Sequence, residues 1–425
     1  MKTKPQLLLA AVPVLFLSSR ICFAAPLPPK QPTAFNYYAS AAAAETDRHK
    51  VDFANGSGSQ GSNDPDDRNY TEAEKEALVK ENAGALKILR QGLTLPYQNP
   101  PPESLSATFP YYAQDRALAR LLALTGKTQA AQGEWSDAVG SDLDAVKLGT
   151  ELPHGSPFIG ALVGLACQSI GRRPIWNSIN HLSAAQARAA SLRLQEIQKR
   201  QVSYADVLGT DKSSSQAVLQ SLVQQPNWRA SVRTFAQNAA DAKGTAFNWT
   251  DQQEAEVQQL DGQTVLTDHA GYMDRLIQAA RAPYVDGPEI LTAPADIVAR
   301  LLSPNTSRQR VKFADNEAQN GLLIVALALR AYRVEHGSYP AKLSALVPTC
   351  LGSIPGDPFT PSGQIRYKPS SPGYILYSVG PDGKDDGGKP ILDSSQPVPE
   401  APGSSDRKSL VKEGSTGDVV GGVNF

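Results

Sequence analysis

A mostly α-helical chain is what this sequence predicts: a large helical domain followed by a small α+β domain, a long helix plus a short antiparallel sheet. Three observations carry that prediction. Apolar residues recur at helical spacing in several segments between residues 71 and 200, behind Ser/Thr-x-x-Glu/Gln helix starts. One long helical stretch, residues 308–335, is most apolar at Leu322–Leu327 and closes on His336-Gly337. Two short alternating runs, Ile365–Lys368 and Tyr374–Val379, follow it with a Pro/Ser/Gly turn between them.

The elements follow in chain order. Lys2 and Lys4 precede the apolar run Leu7–Leu17, which Arg20 interrupts well short of a membrane span. Cys22-Phe23-Ala24 before Ala25 supplies small residues for cleavage, so residues 1–24 read as a signal peptide and the mature chain as periplasmic or extracellular. An uncleaved membrane anchor is the alternative. Residues 25–70 are rich in Pro, Ala, Ser and Gly and read mainly as a disordered linker, with a short helix near Phe35–Ala44.

Ordered structure is expected from a capping box at Thr71 and Glu74. Leu78, Leu86, Leu89 and Leu93 then continue one helix until Pro96. A second helix is expected over Tyr111–Leu124, ended or bent by Gly126, and a third over Thr128–Leu148. Within the third, Gly133-Glu134-Trp135-Ser136-Asp137-Ala138 and Leu143-Asp144-Ala145-Val146-Lys147-Leu148 resemble the central part of a tetratricopeptide repeat. The resemblance implies one helical hairpin, because a single copy cannot form an array. Pro157–Ala166 carries a Gly160-x-x-x-Gly164 spacing but is too short to span a bilayer, so it reads as a close-packed core helix. Ser183 and Gln186 open a further helix, and residues 203–268 give weaker amphipathic patterns. The helical domain is thus expected over residues 71–300.

The α+β domain is expected over residues 305–390, and residues 391–425 as a disordered tail. Three blocks of it carry a second resemblance: Leu329–Pro340, Asp357-Pro358-Phe359 and Tyr377-Ser378-Val379-Gly380-Pro381-Asp382-Gly383. In this order they resemble the globular head of the major pseudopilin of type II secretion. That resemblance implies a long helix packed on a small antiparallel sheet, and a loop after the second strand that binds calcium. Exported bacterial proteins that join a helical region to such a head are similar as well. The chain departs from a fibre subunit in its ordinary signal peptide, and in Arg308, Arg310, Lys312, Asp315 and Glu317 on the upstream half of the helix.

Calcium is the one specific ligand expected. Asp382, Asp385 and Asp386 offer hard oxygens within one loop, and Gly383, Gly387 and Gly388 let it turn. The pseudopilin resemblance matches at Ser378 and Asp382; Asp385 and Asp386 are candidates on residue type alone. The alternative is a plain Asp-Gly turn with solvated acids. Cys167 and Cys350 either form a disulfide between the two domains or stay as separate buried thiols.

The chain of 425 residues holds 41 Lys and Arg against 42 Asp and Glu, a balance that gives nucleic acid no electrostatic footprint. The five histidines are scattered, and no nucleophile elbow, phosphate loop or Cys-x-x-Cys occurs. The expected role is therefore a non-enzymatic envelope protein that binds other envelope proteins and has no membrane-spanning segment after cleavage. The alternatives are an accessory of a type II secretion or pilus-like system, and a hydrolase whose site has no recognisable motif.

Overall fold

Helix starts follow the capping residues. The Thr71 hydroxyl accepts from the Glu74 N–H while the Glu74 carboxylate reaches back to the Thr71 N–H, and Ser183 and Gln186 form the same reciprocal box. The structure, a computed structural model, describes residues 33–56, 69–101, 109–242, 246–282, 284, 294, 296–302, 307–361, 363–370, 373–391 and 411–422. Residues 1–24 lie outside them.

Fourteen α-helices and one small sheet make up the described residues. The first four helices are α1 (Ala34–Ala44), α2 (Arg48–Ala54), α3 (Glu72–Glu81) and α4 (Ala83–Gly92). Next come α5 (Tyr111–Ala131), α6 (Trp135–Glu151), α7 (Phe158–Ser178) and α8 (Ala184–Gln198). Then follow α9 (Tyr204–Val223), α10 (Trp228–Ala242), α11 (Asp251–Gln259), α12 (Gly262–Ala280), α13 (Ile297–Leu302) and α14 (Ser307–His336). The sheet has the order β1 (Arg366–Pro369), β2 (Tyr374–Ser378) and β3 (Val419–Val420), all antiparallel, with Tyr367 opposite Leu376 and Ser378 opposite Val419. No described helix is long and apolar enough to cross a membrane.

Several expected boundaries are corrected. Residues 34–54, expected as linker apart from a short first helix, form α1 and α2. Ala34, Tyr38, Ala41 and Val51 are fully or almost fully buried there, and Tyr38 stacks on Tyr97 with ring centroids 5.6 Å apart. Alanines at helical spacing allow that close seat, although each one removes little apolar area from water by itself. The expected helix over residues 71–96 breaks at Asn82. Its buried side chain donates to the Leu78 carbonyl and accepts from the Thr46 N–H, tying α3 to the segment after α1. Gly126 does not end α5. It is small because Asp142 of α6 lies against it, and a Cβ there would sit 2.5 Å from the Asp142 carboxylate. The true stop is Gly133, in the left-handed region at φ 80°, just past the C-cap. In the tail, β3 pairs with β2, and Val411, Val419 and Val420 are buried.

The glycine spacing in α7 marks close packing. A Cβ on Gly149 of α6 would meet the Gly164 carbonyl of α7 at 2.4 Å, and one on Gly171 would meet the Asp142 carbonyl at 2.4 Å. Cys167 and Cys350 are both buried and free, in two different apolar clusters, so no bridge links them.

The largest core runs straight across residues 300–305. It joins Leu143 and Val146 of α6, Ile175 of α7 and Leu194 of α8 to Leu322–Leu329 of α14, Phe359, Leu376 and Val419. The expected division there is therefore not a packing boundary. A buried polar cluster sits at the same joint. Arg172 of α7 donates to the side-chain oxygens of Asn316 and Asn320 at 2.9 Å each, and both amides donate on to Gln168. Asn320 also reaches Gln198, and Gln168 reaches Gln201. Burial lowers the Arg172 pKa to about 10. A buried cation held by fixed amide oxygens sets the register of α7 against α14.

Candidate functional site: the acidic turn of the C-terminal module

The turn after β2 is built from glycines that no other residue replaces easily. Gly380, Gly383, Gly387 and Gly388 have φ of 74°, 68°, 78° and 90°, all in the left-handed region. At Gly380 space is also lacking, because a Cβ would lie 2.3 Å from the Gly417 carbonyl. The expected site residues divide between the two sides of this turn.

Ser378 faces inward. It is fully buried at the end of β2, and its hydroxyl donates to Asp357 Oδ1 at 2.7 Å. The same carboxylate accepts from the Val379 N–H at 3.0 Å and the Phe359 N–H at 3.1 Å. Asp357 thus ties the start of the β-region to the end of β2. Asp382, Asp385 and Asp386 lie on the outer side. Asp382 accepts from the Lys384 N–H at 3.1 Å, closing a local turn. Asp385 accepts from the Tyr377 hydroxyl at 2.8 Å and the Gly387 N–H at 3.0 Å, with Arg366 Nε at 3.6 Å. Desolvation pushes the Asp385 pKa up, but those hydrogen bonds with Lys368 and Arg366 outweigh it and leave it lowered. Asp386 is exposed, and its N–H donates to Asp418 at 3.3 Å.

Asp418 was not expected in the site. It belongs to the segment read as tail, yet it is fully buried beneath the turn. One of its oxygens accepts from the Gly388 N–H at 2.6 Å and the Lys389 N–H at 3.2 Å, the other from Asp386. Burial raises its pKa against the pull of the Gly388 and Asp386 N–H groups. Of the two inner carboxylates only Asp357 had a signal, since it lies in one of the resemblance blocks; Asp418 stands far away in sequence among Ser and Gly. The expected set is therefore not brought to one point: Ser378 serves Asp357, while Asp382, Asp385 and Asp386 face outward. Among the described residues no three His, Cys, Asp or Glu side chains are grouped as metal ligands.

Several polar groups elsewhere among the described residues hold structure. Ser203 in a cleft of about 360 Å³ caps α9 by accepting from the Asp206 N–H, and Arg310 on the same cleft donates to the Ala282 carbonyl. His181 stacks on Trp135 and His336 on Tyr332, at 3.8 and 4.0 Å. His269 is buried beside Gln216, and burial, with Lys212 nearby, lowers its pKa to about 4.

Compared with known proteins, the chain matches no family model, no curated protein and no solved structure.

Proposed function

We propose that this chain is an exported, non-enzymatic cell-envelope interaction protein with a C-terminal module that takes calcium at its outer acidic turn. The observation that sets this reading apart from a fibre subunit is the covering of α14. Leu322–Leu329 and Ala331 are all buried, with α8 on one side and β2 and β3 on another. Upstream, Val311, Ala318, Gln319 and Asn320 are buried as well, and Arg172 of α7 holds Asn316 and Asn320. A secretion or pilus-like fibre subunit needs the upstream half of this helix to meet other copies. Here that half is occupied within the chain, which favours a discrete particle over a filament. In this reading the module is a fixed part of a helical scaffold that binds other envelope proteins.

Calcium rests on residue type and on the outward placement of Asp382, Asp385 and Asp386 on a glycine-rich turn. If the ion binds the folded chain with a dissociation constant in the range of extracellular modules, millimolar calcium adds about 0.5–1.5 kcal/mol. The mature chain is expected to melt higher in calcium than in chelator, and Asp382→Ala to abolish the difference while Gly383 keeps the turn. Identical melting curves would reduce the three acids to turn residues. For the envelope role, affinity capture from an envelope fraction is expected to recover defined partners and electron microscopy to show single particles. Fibres, or recovery of secretion-machine subunits, would favour the fibre accessory instead. Turnover on a hydrolase substrate panel, abolished by one substitution, would overturn the non-enzymatic reading.

A further inference from the structure

A cleft of about 360 Å³ opens where the end of α12 meets the first half of α14. Arg310, Phe313, Ala314 and Glu317 line it, at the three- and four-residue spacing that puts side chains on one helix face. Arg281, at the C-cap of α12, lines it too. The Arg310 guanidinium donates to the Ala282 carbonyl at 2.7 Å, so α14 brings a second cation to the segment that carries Arg281. Phe313 and Ala314 are buried, and Tyr204 packs on Phe313 with ring centroids 4.8 Å apart. Glu317 stands two helical turns beyond Arg310, about 10 Å along the axis. The lining is therefore cationic at one end, apolar in the middle and anionic at the other.

Two of these charges are uncommitted. Among the described residues neither the Arg281 guanidinium nor the Glu317 carboxylate has a hydrogen bond or an ion pair, and the two do not pair with each other. Both residues are exposed. Loss of surrounding water, and then the charge of Asp357, raises the Glu317 pKa, so a cation arriving at that carboxylate relieves an existing penalty. We propose that this cleft binds a short peptide by its two free termini, the ammonium at Glu317 and the carboxylate at Arg281. Opposite charges held apart in one cleft complement a ligand that carries both. An extended chain covers about 3.3–3.6 Å per residue, so roughly three residues match the span, with the middle side chain over the apolar floor. A free amino acid is too short to serve both ends, and an inorganic anion would leave Glu317 without a partner. The volume is that of a small-ligand pocket. This inference goes beyond the envelope role and does not depend on it.

Isothermal titration calorimetry of the full chain with the tripeptides Ala-Leu-Ala and Ala-Phe-Ala tests it. Saturable one-to-one binding is expected. N-acetylation or C-amidation of the peptide should each weaken binding about fivefold or more, because each deletes one charge pair. Glu317→Gln should weaken binding of the free peptide but not of the acetylated one. Arg281→Gln should weaken binding of the free peptide but not of the amidated one. Both variants change exposed positions, and circular dichroism checks that they fold. This pairing separates contact with a terminus from general damage to the cleft. No binding, equal binding of the blocked peptides, or equal weakening of free and blocked peptides by a variant would overturn the proposal. So would free leucine or inorganic phosphate binding as tightly as the tripeptides.

Discussion

Asp115 and Asp142 are carboxylic acids inside the helical layer, where most chains place leucine. Asp115 is 4% exposed, one of its oxygens has no hydrogen-bond partner, and burial pushes its pKa up to about 8. Asp142 is buried as deeply, its pKa raised by burial and only partly pulled back by Lys127. The unfolded chain ionises such groups near pH 4. Between about pH 4 and pH 8 the folded chain thus holds a proton on Asp115 that the unfolded chain has released. Stability from this group is greatest below pH 4 and declines as pH rises toward 8. Asp115→Asn keeps the shape and removes the charge. It should leave stability at pH 4 nearly unchanged and add roughly 1–4 kcal/mol at pH 8. Urea unfolding at the two pH values reads this directly; an equal pH slope in wild type and variant would exonerate Asp115.

Packing of whole elements depends on backbone approach more than on side-chain size. The α6–α7 contact is made where Gly149, Gly164 and Gly171 bring carbonyls within reach of the opposite helix. Gly149→Ala forces a methyl to 2.4 Å from the Gly164 carbonyl and 2.6 Å from the Gln168 nitrogen. Neither atom can move without shifting its helix, so a loss of about 1–3 kcal/mol is expected in chemical denaturation. Gly140, on the same helix, faces nothing closer than Arg193 at 3.9 Å. Gly140→Ala should therefore be neutral or gain about 0.5–1 kcal/mol from helix propensity. Equal effects of the two substitutions would mean that the helices can separate freely.

Across the molecule, the core and the Arg172 cluster bind the C-terminal module to the helices that precede it. Splitting the chain near residue 303 would expose the buried faces of α8 and α14 together with Arg172, Asn316 and Asn320. An exposed apolar face of that kind has no solvent-compatible alternative. Calorimetry of the chain should give one main transition for both parts, and a fragment starting at residue 307 should fail to fold alone. Two well-separated transitions, or a stable fragment with the sheet intact, would show that the joint is weak. Asp418 adds a second tie, because truncation before residue 411 removes β3 and leaves the N–H groups of Asp386, Gly388 and Lys389 without their acceptor.

The helical class, the capping boxes at Thr71 and Ser183, the span of α14 and the β1–β2 hairpin could all be read from sequence, since each depends on neighbours within a few residues. The core nature of α7 was legible too, from its glycine spacing, although the helix runs on to Ser178, well past the stretch 157–166 whose shortness supported that reading. What sequence could not reveal depends on partners far along the chain. The alanine-rich helix α1 is held by Tyr97, Gly126 is small because of Asp142, and β3 becomes a strand only beside β2. In the acidic turn the local carboxylates stood out, but Asp418, which holds the turn from beneath, lies 30 residues from Gly388. Local propensity chose the elements; burial of alanines, glycines and single aspartates against distant backbone decided where they pack, because those contacts have no local signature.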